Sequence, residues 1–483
     1  MAPIRDNPRA SVGDRASTAL TGDALCEPRV VIIGGGITGL SAAFELASRQ
    51  VPFTLCEASN RAGGLILTDR VDGFTIEAGP DSVLAQKPAA LELCEALGLT
   101  PKVIATRQPR TAYVLRAGRL HALPSPSVLG VPTTLAGIAS YDLLPWSARL
   151  RLAGEPLVRR AAPDDESVAS FFRARFGAAT VGLVAQPLLG GIHAGDVEQL
   201  SMRSLFPRFA DAESRHGSVL RAFRRQRSRP DGLFRSLSGG MDELVRAIER
   251  RLPRGSVRVG AAVSQLAWAG DRWVVTTGPD HLRARAVILA LPAPAAARLL
   301  DPLDPVAAAL CREVPYVSTA SVAMAWRRED VPHPLDGSGF VVARSHNPLR
   351  ITACTWVSSK WEGRAPAGTV LLRVFIGGSH DPEAVSLPEN QLVETAWRDT
   401  SAVLGMSVPP LFARVYRWPD AGAQHTVGQR ARVAGIERRL AVHAGLFVAG
   451  SGFRSVGIPD CVADGRAAGA AAAHFATMNI SPR

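Results

Sequence analysis

The sequence predicts an α/β fold that begins with a parallel sheet of the Rossmann type. Two local patterns indicate it. The β-branched run 29–33 leads directly into a glycine turn and an apolar helix, and a second short strand, 52–56, ends at the acidic Glu57. The chain has 483 residues, of which 47% are hydrophobic and 20% charged. This length and balance predict two or three lobes with large buried cores and exclude wholesale disorder.

The glycine turn has the spacing of a phosphate-binding loop. Gly34 permits the tight turn after the strand, Gly36 lets a pyrophosphate approach the backbone, and Gly39 lets the helix pack against the strand. Glu57 stands where a ribose hydroxyl is accepted, and its charge disfavours a 2′-phosphate. The predicted dinucleotide contacts of this turn are Gly34, Gly36, Ile37, Thr38 and Gly39.

An arginine and a glycine pair follow the acidic residue. Arg61 comes shortly after Glu57 and Ala58, and it precedes Gly63 and Gly64. In this arrangement the arginine can reach the diphosphate as a charge-assisted donor, while the glycines let the chain run beneath a flat ring system. A nicotinamide-binding fold would not need this element.

Charge and cysteine content narrow the function classes. Lysine and arginine number 55 against 43 acidic residues, which gives a formal net charge of +12. This positive charge is spread along the whole chain, whereas nucleic-acid modules cluster theirs on one face, so we expect no nucleic-acid partner. The 6 cysteines show no Cys-x-x-Cys spacing, which predicts a reducing compartment and no metal site.

Targeting and membrane signals are weak. Residues 1–25 lack an apolar core and are predicted to be a flexible leader. Stretches 120–141 and 176–195 could cross a bilayer on length, but prolines, glycines and polar residues interrupt both. The apolar tip 143–146, beside arginines, fits a segment lying in the headgroup plane and equally an ordinary helix docked on a core. Residues 215–235 are predicted to be a solvated loop.

The Glu-x-x-x-Arg-x-Gly-Gly element after a Rossmann turn resembles the hallmark of the flavin-dependent amine oxidase superfamily, and this resemblance implies FAD as the cofactor. Later segments are similar to the same superfamily. They are residues 239–244, the strand 257–259 with Val263 as an adenine contact, and residues 286–292 as a strand returning to the FAD domain. The resemblance therefore implies an FAD domain that is discontinuous in sequence.

From about residue 28 to residue 472 the sequence resembles the oxygen-dependent protoporphyrinogen oxidases, with coproporphyrinogen oxidases as close relatives. Residues 77–82 are similar to the family's segment after the flavin loop, and residues 187–207 to its substrate-side stretch. Residues 445–461 resemble the strand, turn and helix that end against the isoalloxazine ring, with the helix starting near Pro459. The further cofactor contacts that the resemblance implies are Gly79, Pro80, Asp81, Ser82, Gly450, Val456, Gly457 and Ile458.

The resemblance implies that a porphyrinogen is oxidised to a porphyrin. A meso carbon would give a hydride to the flavin, oxygen would reoxidise it with release of hydrogen peroxide, and three cycles would complete the reaction. No catalytic side chain is predicted. Gly191, Val341 and Phe375 align with positions that line the family's substrate cavity. Phe375 could stack on a pyrrole ring or be a core phenylalanine.

Two positions depart from the family's pattern. Ala112 stands where many members have an arginine that pairs with a substrate propionate. Arg110 is therefore predicted to bind this carboxylate, with Arg116 and Arg119 as alternatives. His425 stands where the family commonly has a tyrosine, and it is expected to replace that ring in packing only.

Protoporphyrinogen IX is the predicted substrate, and coproporphyrinogen III is the alternative. An amine oxidase or carotenoid desaturase of the same superfamily, and a flavin-binding protein without catalysis, are the other classes. Lys360 is the lysine that an amine oxidase could use, but its poorly patterned surroundings weigh against that class. We also expect a cytoplasmic protein that contacts the anionic inner face of the cell membrane, and a homodimer as in many relatives.

The complete prediction is a discontinuous Rossmann-type FAD-binding domain, a mixed-sheet substrate-binding domain, and an inserted helical lobe that faces a membrane. The predicted boundaries are 1–25 for the leader, 26–105, 226–305 and 435–475 for the three FAD-binding parts, 106–225 for the helical lobe, 306–434 for the substrate-binding domain, and 476–483 for the tail.

Overall fold

The structure is a computed structural model, and it describes residues 29–159, 163–224, 232–344, 348–454 and 456–478. The predicted leader and Ser455 of the C-terminal turn lie outside the described residues. Within the described ranges, no helix is both long and apolar enough to cross a bilayer.

A five-stranded parallel sheet underlies the first part of the fold. In spatial order its strands are Val257–Arg258, Phe53–Cys56, Val30–Ile33, Ala286–Leu289 and Leu446–Val448. Every neighbouring pair runs parallel. Val30 and Ile32 join one core, and Val31 and Ile33 join another, because both faces of the sheet are covered. Distant parts of the sequence thus form one sheet, which confirms the predicted α/β class with a discontinuous Rossmann-type domain.

Two helices pack closely against each other on one face of this sheet. Helix Ile37–Ser48 follows the glycine turn and lies against the C-terminal helix Ile458–Thr477. Gly465 and Gly469 make the close approach possible, since a Cβ at Gly465 would lie only 2.2 Å from the carbonyl oxygen of Thr38. The C-terminal helix is thereby fixed beside the glycine turn.

A seven-stranded mixed sheet forms the second large element. In spatial order its strands are Phe412–Ala423, Tyr316–Arg327, Thr369–Gly377, Ile351–Trp356, Gly339–Val342, Ala112–Arg116 and Arg119–Ala122. Strands Gly339–Val342 and Ala112–Arg116 run parallel, and the other neighbours run antiparallel. Helix Glu389–Leu404 covers one face and completes a core that includes the buried Trp326 and Trp356. This is the mixed sheet that the sequence predicts.

A helical lobe with an aromatic core is inserted between these elements. Phe209 lies within that core, with its ring centroid 6.1 Å from that of Phe171 and 5.0 Å from that of Phe223, both in edge-to-face geometry. Its helical segments are Leu135–Ala139, Trp146–Ala153, Glu155–Leu157, Val168–Phe176, Val181–Gly190, Gly191–His193, Met202–Leu205, Pro207–His216 and Val219–Arg224, and its short strands are Ser127–Val128 and Val131–Pro132.

The predicted apolar tip, residues 143–146, is only partly at the surface. Leu143 and Leu144 are buried in the core of the lobe. Trp146 begins the helix Trp146–Ala153 and remains 67% exposed. The leucines therefore behave as core residues, and the tryptophan alone has the exposure expected for a surface contact.

The predicted loop at residues 215–235 is wrong where the structure describes it. Helix Val219–Arg224 occupies part of this segment, and strand Phe234–Leu237 begins at its end. Leu220 and Phe223 are buried in the lobe core. Their apolar spacing, rather than the density of arginines around them, determined the local structure.

The remaining elements connect these three parts. The other strands are Thr68–Val71, Phe74–Glu77, Val83–Leu84, Val103–Ala105, Val263–Ala269, Arg272–Thr277 and Asp280–Ala284. The other helices are Ala89–Ala96, Thr100–Lys102, Asp242–Arg251, Ala293–Leu300, Pro305–Arg312, Arg328–Asp330, Val357–Lys360, Pro382–Ser386 and Gln429–Leu440.

Candidate functional site

The glycine turn leaves space where a phosphate would approach. Gly34 has a φ of 106°, and a Cβ there would lie 2.3 Å from the carbonyl oxygen of Ala290. A Cβ at Gly39 would lie 1.9 Å from the carbonyl oxygen of Gly34, whereas a Cβ at Gly36 would meet nothing within 4 Å. Close packing of the backbone therefore requires glycine at the positions of Gly34 and Gly39. Gly36 instead borders open space at the N-terminus of helix Ile37–Ser48.

Glu57 lies beside this turn at the end of its strand. Its Oε2 accepts a hydrogen bond from the backbone N–H of Gly35 at 2.6 Å, and its Oε1 accepts one from the backbone N–H of Ser59 at 2.8 Å. The carbonyl oxygen of Glu57 accepts from the N–H of Ala261, 2.8 Å away, and Val263 begins the strand that follows. The carboxylate and Val263 thus border the edge where this fold binds the adenosine part of a dinucleotide.

Arg61 shapes the loop that follows. Its guanidinium donates to the carbonyl oxygens of Ile66 at 3.0 Å and Gly64 at 2.5 Å. The backbones of Gly63 and Gly36 form an isolated parallel β-bridge. A Cβ at Gly64 would lie 3.1 Å from the Cα of Gly36. The arginine is turned into its own loop, so its contact with a diphosphate stays a prediction. The exposed Ala58 lies at the start of the same loop.

Residues 78–82, here called the cofactor segment, are fixed between this loop and the mixed sheet. The carbonyl oxygen of Ala78 accepts a hydrogen bond from Arg373 Nη2 at 2.9 Å. A Cβ at Gly79 would lie 1.7 Å from the carbonyl oxygen of Leu65, so no larger residue fits without a backbone shift. The predicted contacts at residues 79–82 therefore sit on a constrained backbone.

Asp81 is the charged residue of the cofactor segment. Its carboxylate accepts hydrogen bonds from Lys360 Nζ at 2.7 Å, Trp361 Nε1 at 3.1 Å and Ser82 Oγ at 2.7 Å. Burial alone would raise the pKa of Asp81, but the charge and hydrogen bond of Lys360 outweigh burial and hold this pKa well below its usual range. Asp81 is therefore an anion that joins the segment to the substrate side.

The C-terminal helix begins where the sequence predicts. Helix Ile458–Thr477 has Gly457 as its N-cap residue and Pro459 in its first turn. Gly450 has a φ of 115°, and its N–H donates to Asp464 Oδ2 at 2.7 Å. The positive end of the helix therefore lies at the same edge as the glycine turn, where it favours a negatively charged group.

Two of the predicted substrate residues share one row across the mixed sheet. Val341 pairs with Ala353, Ala353 with Phe375, and Phe375 with Ser321. Val341 packs against the core of the helical lobe, while Ser321 Oγ lies 3.4 Å from the carbonyl oxygen of Ala78. This row therefore runs from the lobe to the cofactor segment.

Gly191 lies on residues 190–195, here called the substrate-side turn. The π-helix Val181–Gly190 ends at this turn, where Gly191 is exposed and has no atom within 4 Å of a would-be Cβ. Ile192 is 60% exposed. The carbonyl oxygen of Ala194 accepts a hydrogen bond from the N–H of Ser379 at 2.8 Å, just beyond the strand that carries Phe375. The turn and the sheet row thus border one region.

The candidate carboxylate-binding arginines make contacts elsewhere. Arg110 Nε donates to both the carbonyl oxygen and Oγ1 of Thr106, at 3.0 and 2.9 Å. Arg116 Nη1 donates to the carbonyl oxygen of Leu143 at 2.6 Å, and Arg119 is exposed. These hydrogen bonds hold the Nε end of the Arg110 guanidinium at Thr106, and the role of Arg110 in binding a propionate stays a prediction.

Two histidines lie where the substrate-side turn meets the C-terminal segment, and sequence reasoning gave neither a role in the reaction. His425 is 2% exposed, and its Nε2 lies 2.8 Å from the carbonyl oxygen of Ser451. His193 belongs to the substrate-side turn, and its ring centroid lies 5.5 Å from that of Phe206. Their position inside the segments that carry the family resemblance is the signal that could have indicated them.

Comparison with known proteins identifies the family. Residues 37–473 match the family described as flavin containing amine oxidoreductase. The chain belongs to this family. It is 36% identical to a coproporphyrinogen III oxidase of Bacillus subtilis (strain 168) over 459 residues, which covers 91% of this chain and 96% of the relative.

Further relatives place the chain among the porphyrinogen oxidases of this flavin family. A crystal structure from Exiguobacterium sp. 255-15, described as a protoporphyrinogen oxidase, has a TM-score of 0.84 and 32% identity, and the match covers 93% of this chain and all of that one. Protoporphyrinogen oxidase 1 of Spinacia oleracea is 28% identical over 472 residues, covering 89% of this chain and 82% of the relative. The resemblance to the porphyrinogen oxidases that the sequence indicates is confirmed.

FAD is the cofactor of this flavin-containing protein, and the residues present fit it. Gly36 borders open space at a helix N-terminus, Glu57 offers a carboxylate at the adjacent strand end, and Gly457 begins a second helix whose positive end faces the same edge. The cofactor segment lies between them and the mixed sheet. The individual contacts with FAD remain predictions.

Proposed function

We propose that the protein is an FAD-dependent coproporphyrinogen III oxidase that forms coproporphyrin III. The sequence alone put protoporphyrinogen first and coproporphyrinogen as its alternative. The relatives support the alternative better, because the Bacillus protein with the coproporphyrinogen name is 36% identical and the spinach protein with the protoporphyrinogen name is 28% identical. Haem and porphyrin synthesis is the setting that both names share.

The observation that carries the proposal is the region bordered by the substrate-side turn, the sheet row and the cofactor segment. A flat macrocycle needs a slot with an apolar wall beside the flavin. Val341 and Phe375 supply an aliphatic and an aromatic side chain in one row, and the Arg373 guanidinium lies 4.7 Å from the Phe375 ring centroid. Gly191, on the substrate-side turn that borders the same region, leaves open space where a larger residue would have a side chain.

FAD supplies the redox chemistry, since it accepts a hydride and passes electrons to oxygen. The residues of the chain hold the macrocycle, exclude water and fix its orientation. Oxygen as the final acceptor, with hydrogen peroxide as its product, is part of the proposal. We expect oxygen uptake to accompany porphyrin formation and catalase to return part of that oxygen.

Charge supports the more anionic substrate. Coproporphyrinogen carries a propionate on every pyrrole ring, whereas protoporphyrinogen carries propionates on only half of its rings. A chain with 55 basic and 43 acidic residues attracts the more negative molecule more strongly. This attraction should weaken as salt is added, because mobile ions screen it.

The test is turnover of both porphyrinogens by the purified holoprotein, followed by porphyrin fluorescence. We expect coproporphyrinogen III to give the higher kcat/KM. Protein freed of FAD is the matched control, and its rate of porphyrin formation should equal the rate of autoxidation without protein. Preference for protoporphyrinogen would restore the first substrate predicted from the sequence. Turnover of an amine but of neither porphyrinogen would overturn the proposal.

The amine oxidase alternative is weakened by the position of its lysine. Lys360 Nζ is bound to the carboxylate of Asp81, and its side chain is only 15% exposed. A lysine held in this way is not free to act beside the flavin. A flavin-binding protein without catalysis is excluded if porphyrinogen bleaches the bound flavin in the absence of oxygen.

We also propose a peripheral contact between the helical lobe and an anionic membrane on the cytoplasmic side. Large apolar side chains are exposed on the lobe, namely Leu135, Trp146, Leu150 and Leu157, at 60%, 67%, 72% and 80%. The Arg149 guanidinium lies 4.4 Å from the Trp146 ring centroid. Such an apolar surface with basic residues suits anionic headgroups.

Sedimentation with anionic vesicles tests this contact. We expect binding that weakens with salt and falls in a variant with Leu150→Ser and Leu157→Ser, while FAD content is unchanged. If equal amounts of protein sediment with neutral and with anionic vesicles, the proposed contact with anionic headgroups is contradicted.

The proposed homodimer is tested separately, by light scattering of the holoprotein.

A further inference from the structure

Several titratable side chains meet beside the substrate-side turn without a role in the proposed cofactor contacts. Lys87 Nζ lies 2.6 Å from Asp460 Oδ2, in the first turn of the C-terminal helix. His425 Nε2 lies 2.8 Å from the carbonyl oxygen of Ser451. The segment of His425 lies against that of His193, because Gln424 Nε2 donates to the carbonyl oxygen of His193. His193, on the substrate-side turn, is therefore beside a segment that contacts Ser451 next to the predicted flavin contact Gly450.

Only one of the two histidines can meet a substrate. His425 is almost fully buried, and because its Nε2 faces a carbonyl oxygen, this nitrogen carries the hydrogen. His193 is only partly buried, and within the described ranges its ring makes no hydrogen bond. The Phe206 ring packs edge to face against it and orients the imidazole.

The backbone that carries His193 is held from two sides. Gln424 Nε2 donates to the carbonyl oxygen of His193 at 2.9 Å, and Gln186 Nε2 donates to the carbonyl oxygen of Gly195 at 2.9 Å. Gly191 and Ile192 are exposed between these two anchors, and His193 is partly buried. The imidazole is therefore carried on a backbone held in place beside the residues that border the proposed substrate region.

We propose that His193 is a catalytic residue that accepts the proton lost from a pyrrole N–H as a meso carbon of the substrate gives up its hydride. This inference rests on the proposed function. The meso C–H bond breaks with both electrons going to FAD, and the N–H bond breaks with its electron pair remaining in the macrocycle. The proton bonds to an imidazole nitrogen. Oxygen later takes the two electrons, the hydride's proton and the proton from His193, and forms hydrogen peroxide.

The electrostatics of the turn keep the imidazole neutral. Burial, together with the charges of His425 and Lys87, lowers the pKa of His193 to about 3. The imidazole is therefore neutral near pH 7 and has a free lone pair. A macrocycle that loses a hydride becomes cationic, so its N–H groups are acidic and a weak base is sufficient. The protonated imidazole then releases its proton readily.

The experiment compares the holoproteins of wild type, His193→Ala, His193→Phe and the control His216→Ala. His216 is an exposed residue at the end of helix Pro207–His216. Coproporphyrinogen III is mixed with each protein without oxygen, and the loss of oxidised-flavin absorbance is timed. We expect a rate about 100-fold lower in both His193 variants and an unchanged rate in the control.

Rescue by imidazole separates a proton acceptor from a structural residue. Added imidazole should restore much of the rate to His193→Ala, where it can occupy the vacated space, but not to His193→Phe. Binding of coproporphyrin, measured by fluorescence quenching, should be unchanged in both. If His193→Ala binds FAD poorly, His193→Gln replaces it and should show the same loss of rate.

Two results would overturn the inference. One is flavin bleaching in both His193 variants within about threefold of wild type, since a general base contributes far more. The other is a slow His193→Ala protein that imidazole does not accelerate. Failure of the proposed function looks different, because the wild-type flavin would then stay oxidised with every porphyrinogen.

Discussion

Lys360 Nζ lies 2.7 Å from Asp81 Oδ2, and this ion pair joins helix Val357–Lys360 to the cofactor segment. The two side chains are 15% and 21% exposed. Trp361 Nε1 donates to the same oxygen at 3.1 Å. The pair thus fixes the position of the cofactor segment relative to the substrate side.

Replacing this lysine should destabilise the protein. In Lys360→Met the Asp81 carboxylate would remain largely covered without its cation, so we expect a loss of about 2 kcal/mol in the free energy of unfolding. Lys102→Met is the matched control, because the Lys102 side chain is 51% exposed in its ion pair with Glu243. The control should lose less than about 1 kcal/mol in denaturant titrations. Equal losses in both variants would contradict the account.

The ion pair between Lys360 and Asp81 also predicts that the stability of the protein depends on pH. The folded-state pKa of Asp81 is lowered, so its contribution to stability is complete near neutral pH and declines as the pH falls below the unfolded value of about 4. The stability difference between wild type and Lys360→Met should therefore shrink in acid. Thermal unfolding of both proteins at a series of pH values from 7 downwards measures this difference. If the difference stays constant, Asp81 is not ionised in the folded protein.

Substitutions in the glycine turn should separate folding from cofactor binding. Gly36→Ala places a methyl group in open space, so the protein should fold with near-normal stability but lose most of its FAD. Gly39→Ala places a Cβ 1.9 Å from the carbonyl oxygen of Gly34 and should impair folding itself. Circular dichroism and the flavin-to-protein absorbance ratio distinguish the two. Full FAD content in Gly36→Ala would refute the proposed phosphate position.

The helical lobe should depend on a buried charge cluster. Arg175 Nε lies 2.5 Å from Glu213 Oε1, and its Nη1 lies 3.1 Å from Glu155 Oε1. Arg175→Met removes a buried cation from two buried carboxylates, and we expect a loss of about 3–5 kcal/mol. Arg173→Met, at a pair about half exposed with Glu198, is the control and should cost less than about 1 kcal/mol. Proteolysis of the lobe and thermal melting report both effects.

Cysteines in the cores should be inert in the native protein. Burial raises the pKa of Cys56 and Cys94 to about 11 and that of Cys311 to about 12, so almost no thiolate forms at neutral pH. Iodoacetamide should leave these residues unmodified until the protein is unfolded. Peptide mass spectrometry checks each site, and rapid native labelling of Cys56 would show that the parallel sheet opens.

Local signals explain what the sequence predicts well. The glycine turn could be predicted because the positions of Gly34 and Gly39 leave no room for a Cβ, so chain geometry and residue type are tightly linked. The start of the C-terminal helix could be predicted because Pro459 suits a first helical turn. Such constraints act within a few residues and are visible without a tertiary structure.

Tertiary contacts explain what the sequence leaves open. Leu143 and Leu144 are apolar whether they face lipid or a core, and only packing shows that they are buried. Arg110 stands near the expected position for a carboxylate, yet its guanidinium is directed to Thr106. His193 and its neighbours come from separate segments, so no local pattern reveals their proximity.

Anaerobic mixing of coproporphyrinogen III with the yellow holoprotein tests the central claim most directly. If FAD lies beside a slot for the macrocycle, its visible absorbance should disappear as the substrate loses its first two electrons. Admitting oxygen should then restore the absorbance and let coproporphyrin fluorescence rise. Flavin that stays oxidised with a full complement of intact substrate would contradict the account.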